Sequence, residues 1–468
     1  MTLPQAGWRS RASAARAVNR QSWTGAGAAA VDPDHGATAA PIGYAAPSLA
    51  PDLAPAKPFV GVKWTLSLLG LTGYEWVVHQ GVSPLGEVFL ILALFGVIIQ
   101  KQPLRLPPEL MLLLAFAGVG LVTSGGSMFP DIAFQGAVNM FKLAIIMFIF
   151  CNAIRTREQF RAVILIFLFM YALYPMRGAM FNYIFGINTQ GRFAWNFIFS
   201  NPNDLAGFCL MPMALTAGLL KTERKGWIWY GALLQMLALF FIVLITQSRG
   251  AIIAAFLLAF SMLVASRPKA RTIGMLALAF IAVLPLVPAK TWERMSGLSR
   301  ISLDDDMAGV DAEGSAEGRY AVWQVARAIF RDNAVVGVGI GVYSRVHRLY
   351  ARNTAAKSLA MGARDTHSTY LNTLAENGLV GFGLLGTLWL IALMRAQRAI
   401  TALRAWSPMI ALQLRFMQLG FIAFLVAAIW ATFEHLAFMY VYVSLIFVLS
   451  ELYLGTMRAD QSARRRPA

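Results

Sequence analysis

Charged residues are scarce in this chain of 468 residues, where they account for 13% of the sequence against 58% for hydrophobic residues. A soluble domain usually carries about 25% charged residues, because its surface must stay in contact with water. The shortage excludes a soluble globular enzyme. It predicts a protein that places much of its apolar surface in a lipid bilayer.

Cysteine is almost absent. The chain has two, Cys151 and Cys209, and both lie in or beside apolar runs that are far apart in the sequence. Two isolated thiols exclude a disulfide framework and a cysteine-rich metal cluster.

Acidic residues are also few: 23 Asp and Glu stand against 40 Lys and Arg, which gives a net charge of +17. In a soluble chain such an excess would suggest a nucleic-acid partner. Here the basic residues recur in short clusters between apolar runs, which is typical of the cytoplasmic loops of membrane proteins. We therefore expect contact with membrane lipids and no nucleic acid.

The first 57 residues lack an apolar run that could form the core of a signal peptide, and they are rich in Ala, Pro, Gly and Ser. This composition predicts a disordered cytoplasmic tail at 1–57.

Twelve apolar runs, each long enough to cross a bilayer, follow this tail. With a cytoplasmic N-terminus every inside connection is basic, whereas the short outside connections at 80–83 and 126–131 contain no Lys or Arg. The prediction is an all-α polytopic membrane protein with about twelve transmembrane helices, cytoplasmic termini and one long, partly helical outer loop. Its regions are nine spans in 58–289, the outer loop at 290–370, three spans in 371–456 and a basic cytoplasmic tail at 457–468. The runs cover 59–79, 84–100, 109–125, 132–151, 160–179, 203–220, 226–246, 250–266, 272–289, 371–394, 411–432 and 436–456.

The outer loop at 290–370 has three parts. An acidic stretch around Asp304 and Asp306 lacks the spacing of a calcium loop, and we interpret it as a mobile surface segment. An amphipathic helix is predicted at 318–330, with Trp323 on its apolar face. The glycines at 337–341 resemble a phosphate-binding loop, but no strand precedes them, so a turn is predicted.

Four charged or polar features lie at or within the spans. Arg249 interrupts an apolar run, which predicts either a polar cavity around it or snorkelling to lipid headgroups. Lys142 lies deep in the span at 132–151 and needs an anionic partner, for which Glu75, Glu87 or a ligand are the candidates. Asn201, Asn203 and Asp204 precede the span at 203–220, where they are suited to capping a helix N-terminus; Glu434 and His435 mark another boundary.

His367 lies where the outer loop meets the span at 371–394. A histidine titrates near neutral pH, so this position suits a general base. A helix-capping or interfacial histidine is the alternative.

Four segments together resemble the O-antigen ligase and O-antigen polymerase family of bacterial membrane glycosyltransferases. The last one has nine residues between Ser368 and Gly378, as in the ligase pattern of this family. The segments are Gly191 to Phe193 with Asn201 to Asn203; Ser248 to Gly250; Gly318 and Arg319 with Trp323 and the glycines at 337–341; and His367 to Tyr370 with Glu376, Gly378 and Gly381.

The resemblance implies transfer of a glycan from an undecaprenyl-diphosphate carrier to an acceptor hydroxyl at the periplasmic face of the bacterial inner membrane. It implies no cofactor and no metal, and inversion at the anomeric carbon. His367 would be the catalytic base, and Arg192, Arg249 and Arg319 would bind the diphosphate. Tyr370, Glu376, Asn201 and Asn203 would support the site.

Three alternatives stay open for the activity. Within the family, the acceptor distinguishes ligation to lipid A core from polymerisation of a glycan and from transfer to a protein hydroxyl. Outside it, a polysaccharide or lipid transporter would use Arg249 and Lys142 to carry an anionic substrate, although no internal repeat supports this. A non-catalytic partner of a polysaccharide export complex is the third possibility.

Overall fold

A computed structural model describes residues 83–189, 191–196, 199–266, 315–353 and 361–464, with isolated positions between 270 and 292. The predicted tail at 1–57, the first predicted span at 59–79 and most of the span at 272–289 lie outside the described residues. So do the acidic stretch of the outer loop, Glu75 and the last four residues of the basic tail.

The described chain is helical, and its helices are numbered here in chain order. Turns and loops connect them, and a short 3-10 helix, Ala351–Asn353, follows the ninth. The helices are α1 (Ser83–Ile99), α2 (Pro108–Ser124), α3 (Pro130–Ala153), α4 (Arg157–Ile184), α5 (Pro202–Thr222), α6 (Trp227–Ile245), α7 (Arg249–Ser266), α8 (Ser315–Asp332), α9 (Tyr343–Tyr350), α10 (Thr369–Leu403), α11 (Pro408–Ala427) and α12 (Ala437–Arg464).

Eight of these helices are long and apolar enough to cross a membrane, and two shorter apolar helices, α1 and α2, accompany them. All ten coincide with predicted spans. The all-α polytopic membrane fold is therefore confirmed, and the total of twelve spans stays a prediction, because two of them fall largely outside the described residues.

Two of the described spans depart from a regular helix, and α10 is one of them, because Gly378 has a non-helical φ of 59° and kinks it. In α4 the residues Ala172–Met176 form a π-helical turn that contains Pro175. Proline lacks a backbone N–H and crowds the preceding turn, so a wider local winding accommodates it without ending the helix. The hydropathy pattern did not predict this irregularity.

α11 packs against four other membrane-spanning helices, α5, α7, α10 and α12. The loop that follows it is fixed by aromatic contacts: Phe433 lies 4.7 Å from Phe424 and 5.0 Å from Phe208, between ring centroids. Such ring pairs add stability beyond the area they bury. The start of α12 is thereby held next to the start of α5, at what is called here the His367 end of the bundle.

The part of the outer loop at 315–353 has its own hydrophobic core on the His367 end. Val322, Val325, Ala326 and Ile329 of α8 are buried there, whereas Trp323 is half-buried. The predicted amphipathic helix is thus present. Of its predicted apolar face, Ala326 and Ile329 are buried, whereas Trp323 and Phe330 are half-buried. This core includes Ala133 of α3 and Ala375 of α10, as well as residues of α9, so the segment is packed onto the bundle.

Ion pairs tie the bundle together away from this end. Lys142 pairs with Glu87 of α1, with 2.6 Å between Nζ and Oε1, so Glu87 is the partner among the predicted candidates. Arg395 of α10 binds the fully buried Glu109 of α2 through two hydrogen bonds and also pairs with Glu451 of α12. A buried carboxylate needs such compensation.

Candidate functional site

The motif segment 191–193 is bonded at the His367 end to residues 245–247, which directly precede the motif from Ser248 to Gly250. The side-chain amide of Gln247 donates to the carbonyl of Gly191 over 2.8 Å, and Arg192 donates from Nε to the carbonyl of Thr246 over 2.8 Å. Gln247 has a φ of 55°, a left-handed conformation that costs energy in a residue other than glycine. The contacts with Gly191 and Arg192 hold the turn in this conformation.

The start of α5 orients Arg192. Asn201 is the N-cap residue and accepts a hydrogen bond from the backbone N–H of Asn203, as predicted. The side chain of Asn203 has another partner: its Oδ1 accepts a hydrogen bond of 2.7 Å from Nη2 of Arg192. Because Thr246 accepts a hydrogen bond from Nε and Asn203 accepts one from Nη2, the plane of the Arg192 guanidinium is fixed from two sides.

Arg249 is the first residue of α7, and its side chain is half-buried. The predicted break between α6 and α7 is confirmed. The next residue, Gly250, lies so close to Trp430 that an added Cβ would be 2.5 Å from the indole ring. Trp430 belongs to the loop after α11, so the start of α7 is packed against that loop.

The same loop anchors the start of α10. The backbone N–H of Thr369 donates to the carbonyls of Ala428 and Ala431, and its hydroxyl donates to Ala431 over 2.7 Å. Ser368 is the N-cap of α10. His367 therefore immediately precedes the helix, on a backbone that is bonded to the neighbouring loop.

His367 has a φ of 46°, and its side chain is 36% exposed. Its Nδ1 atom is buried and faces Oδ2 of Asp365 at 3.6 Å. This distance is longer than a hydrogen bond, and Nδ1 has no hydrogen-bond partner among the described residues, so Asp365 acts on it by electrostatic attraction. A carboxylate on this side favours the tautomer with the proton on Nδ1, which leaves Nε2 able to accept a proton.

A chain of buried polar groups holds Asp365. The hydroxyl of Thr432 donates to Oδ1 of Asp365 over 2.9 Å and lies 3.2 Å from the hydroxyl of Thr366. Thr366 also bonds to Asn372, whose amide donates to Glu434 over 2.5 Å. Glu434 is only 3% exposed, and burial, with a smaller contribution from the charge of Glu376, raises the pKa of its carboxyl well above the ordinary value. Burial therefore favours the protonated form of this carboxyl.

α8 brings Arg319 to this place. The indole of Trp323 donates a hydrogen bond of 2.9 Å to the carbonyl of Thr366, next to His367. Arg319 precedes Trp323 by one helical turn, so the two lie on the same side of α8. The half-buried Arg319 thus faces the segment that contains the histidine.

Positive charge surrounds the imidazole. Burial lowers the pKa of His367; Asp365 opposes this shift, whereas Arg319, Arg364 and Arg192 add to it. The imidazole is consequently neutral at pH 7 and able to act as a base. Of the three predicted diphosphate ligands, Arg192 and Arg319 lie within electrostatic range of His367, and Arg249 begins its helix against the loop that holds it.

The predicted supporting residues have different positions. Tyr370 donates from its hydroxyl to the carbonyl of Leu425 over 2.7 Å and packs against Trp389, so it fastens α10 to α11. Glu376 is buried beneath the glycine turn, which is confirmed as a turn; its carboxylate accepts hydrogen bonds from the backbone N–H groups of Gly341 and Tyr343 at 2.8 and 2.9 Å. Tyr370 and Glu376 therefore position segments of the chain, and their role does not involve the imidazole of His367.

Sequence reasoning missed Asp365 and Thr432. Asp365 is two residues before His367, and an Asp-x-His spacing next to a helix start was the available signal. Thr432 lies 67 residues further along the chain than Asp365. Nothing in the hydropathy pattern indicated their contact.

Comparison with protein families matches residues 234–386 to the family described as O-antigen ligase. No curated protein sequence matches the chain. The family implies a glycosyltransferase-type enzyme of polysaccharide biosynthesis in a bacterial membrane. The matched residues include Arg249, Arg319, Asp365 and His367. Residues 234–386, which contain His367, are therefore similar to the O-antigen ligase family.

Proposed function

We propose that the protein transfers a glycan from an undecaprenyl-diphosphate carrier to a hydroxyl of an acceptor, at the periplasmic face of the bacterial inner membrane. The observation that carries the proposal is the neutral His367, paired with Asp365 and surrounded by the charges of Arg192 and Arg319. A base beside cationic groups is the arrangement that this reaction needs, since a hydroxyl must lose a proton while a diphosphate gains charge.

His367 acts as the general base in this scheme. Its Nε2 takes the proton of the acceptor hydroxyl while the oxygen bonds to the anomeric carbon of the donor sugar. The bond between that carbon and the diphosphate oxygen breaks, so the lipid diphosphate leaves with the electron pair. Attack opposite the leaving group inverts the anomeric centre. Asp365 stabilises the imidazolium that forms, and the proton then passes to water.

The three arginines bind the leaving group. A guanidinium forms paired hydrogen bonds with phosphate oxygens, and these strengthen as negative charge develops. Arg192 is suited to this role because Asn203 and Thr246 fix its plane in advance. Arg249 and Arg319 complete the proposed set, and their positive charge takes the role that a metal ion has in other transferases.

The test is transfer from purified lipid-linked glycan to acceptor by the His367→Ala protein. Loss of a general base lowers the rate by about 10² to 10⁴-fold. His435→Ala is the matched control, since this histidine is exposed at the same end of the bundle. The proposal fails if folded His367→Ala protein, checked by its thermal unfolding, turns over at close to the wild-type rate.

The acceptor is assigned by mass spectrometry of the cell-surface glycan in a deletion strain. Uncapped lipid A core indicates a ligase, which the ligase spacing of the His367 motif favours. Single repeat units on core indicate a polymerase, and loss of glycan from a protein indicates a protein O-oligosaccharyltransferase. Glycan transfer in detergent, without any ion gradient, would separate all three from a transporter.

A further inference from the structure

Residues 333–364, which follow α8 and end directly before Asp365, carry positive charge alone. From 333 to 364 the sequence contains Arg345, Arg348, Lys357, Arg352 and Arg364, and it contains no Asp or Glu. Exposed basic residues on soluble surfaces are usually mixed with acidic ones. This one-sided composition indicates a surface that meets an anionic partner.

Three of these arginines form a row on α9 and the 3-10 turn after it. Arg345, Arg348 and Arg352 follow one another at intervals of three and four residues, and all three are exposed. This spacing places side chains on one side of a helix. Within the described part of the chain, none of the three forms an ion pair.

The opposite side of α9 is buried inside the protein. Tyr343, Val346 and His347 are buried in the core that α9 shares with α8. A helix that lies in a membrane surface needs an apolar face to insert into the lipid. The exposed side of α9 offers one large apolar side chain, Leu349, beside its arginines. A single side chain is too little for insertion into lipid, so the arginines are better suited to a partner in solution than to lipid headgroups.

The helix that carries this row of arginines is bonded to residues 362–364, which directly precede Asp365 and the proposed catalytic base. The hydroxyl of Ser344 donates to the carbonyl of Arg364 over 3.1 Å, and Nδ1 of His347 lies 3.2 Å from the carbonyl of Gly362. Burial lowers the pKa of both His347 and His367, and the charge of Arg364 lowers both further, so Arg364 lies within electrostatic range of each. Arg364 directly precedes Asp365 in the chain. Arg345, Arg348, Arg352 and Arg364 are called here the basic strip.

We propose that the basic strip binds an anionic acceptor glycan, whose sugars carry carboxylate or phosphate groups. This inference rests on the proposed function, in which His367 contacts the acceptor hydroxyl. The acceptor, and not the donor, is assigned because the strip adjoins the segment that ends in the base, whereas the donor diphosphate lies among Arg192, Arg249 and Arg319. Guanidinium groups bind carboxylate and phosphate through paired hydrogen bonds.

The test measures binding of a fluorescent oligogalacturonate to the full chain in nanodiscs of phosphatidylcholine, which is neutral. Its fully methyl-esterified form has the same length and no charge. We compare the wild type with a strip variant, R345Q/R348Q/R352Q, and with a control, R398Q/R404Q/R458Q. The control removes three arginines that are equally exposed but lie near the opposite ends of α10 and α12.

The acid form should bind the wild type and the control alike, about tenfold or more weakly to the strip variant, and more weakly in high salt. The proposal is overturned if the strip variant binds as tightly as the wild type or if the neutral ester binds as well as the acid. It is also overturned if phosphatidylglycerol in the nanodisc abolishes binding to the wild type, because the strip would then bind headgroups.

The binding assay requires no transfer, so the two proposals can fail separately. His367→Ala protein should bind oligogalacturonate as the wild type does. If strip-dependent binding persists while the wild-type protein transfers nothing from authentic donor, the transferase proposal is wrong and the anionic-glycan surface stands.

Discussion

Asp365 and His367 face each other across 3.6 Å, from Oδ2 to a buried Nδ1, while the other carboxylate oxygen of Asp365 is held by Thr432 at 2.9 Å. The two side chains therefore attract each other at a distance longer than a hydrogen bond. Other charged or titratable groups that act on this pair are Arg192, Asp204, Arg319, Tyr343, Arg364, Glu376, Glu434 and His435.

Asp365→Asn should lower the maximal transfer rate by about tenfold to a hundredfold, because the imidazolium loses its counter-charge. Asp365 raises the pKa of His367. Its removal must lower that pKa, so the acidic limb of the rate profile should move to lower pH. The measurement is transfer rate against pH. A slower enzyme with an unmoved acidic limb would contradict the orienting role, and Asp365→Glu should restore part of the rate and of the limb.

Substitution of Asn203 should affect donor binding, whereas substitution of Asn201 should affect the stability of the fold. Asn203→Ala removes the partner of Arg192, so the KM for the lipid-linked donor should rise with little change in thermal unfolding. Asn201→Ala removes the N-cap of α5, which should cost about 1 kcal/mol of stability with little change in KM. Donor titrations and unfolding curves of both variants check this. Identical effects of the two changes would rule out a special role for Asn203.

Gly378→Ala should loosen the outer loop from α10. Gly378 has a φ of 59° and a ψ of −161°, and a Cβ there would lie 2.3 Å from the carbonyl oxygen of Val335. Strain in this region costs about 1 to 3 kcal/mol. The expected results are faster hydrogen exchange at 334–341 and slower transfer.

Gly383→Ala is the control for this change, since a Cβ at Gly383 in the same helix would have no atom within 4 Å. It should leave exchange and transfer as in the wild type. Equal exchange rates in the two variants would show that the close approach at Gly378 is unimportant.

The stability of the Glu434→Gln protein relative to the wild type should increase as pH rises. Folding raises the pKa of Glu434 well above its ordinary value near 4.3. The stabilisation that this proton gives the wild type is therefore complete below about pH 4.3, and it is lost as pH rises toward the pKa in the folded state. Glutamine carries no such dependence. The difference in unfolding midpoint should therefore shift toward the variant over the range from about pH 4.3 upward. A constant difference across this range would mean that Glu434 is ionised in the folded protein.

The spans, the break before Arg249 and the glycine turn were predictable because each depends on a local pattern of apolar residues, charge or glycine. The N-cap Asn201 belongs to the same class. The contact of Thr432 with Asp365 was not predictable, since it depends on how loops from distant helices meet. The same reason explains why the contact of Asn203 with Arg192 was not predicted, although Asn203 was expected to support the site. It also explains why Val325 was not included in the predicted apolar face of α8.

The two hydrogen bonds to the Glu376 carboxylate set an order of assembly. Tyr343 is made 33 residues before Glu376, so the glycine turn leaves the ribosome without the acceptor that its N–H groups need. The turn can reach its final shape only after α10 has been synthesised and its first turns inserted. The outer loop is thus completed by a helix that follows it, and truncation before α10 should leave α8 and α9 without a stable platform.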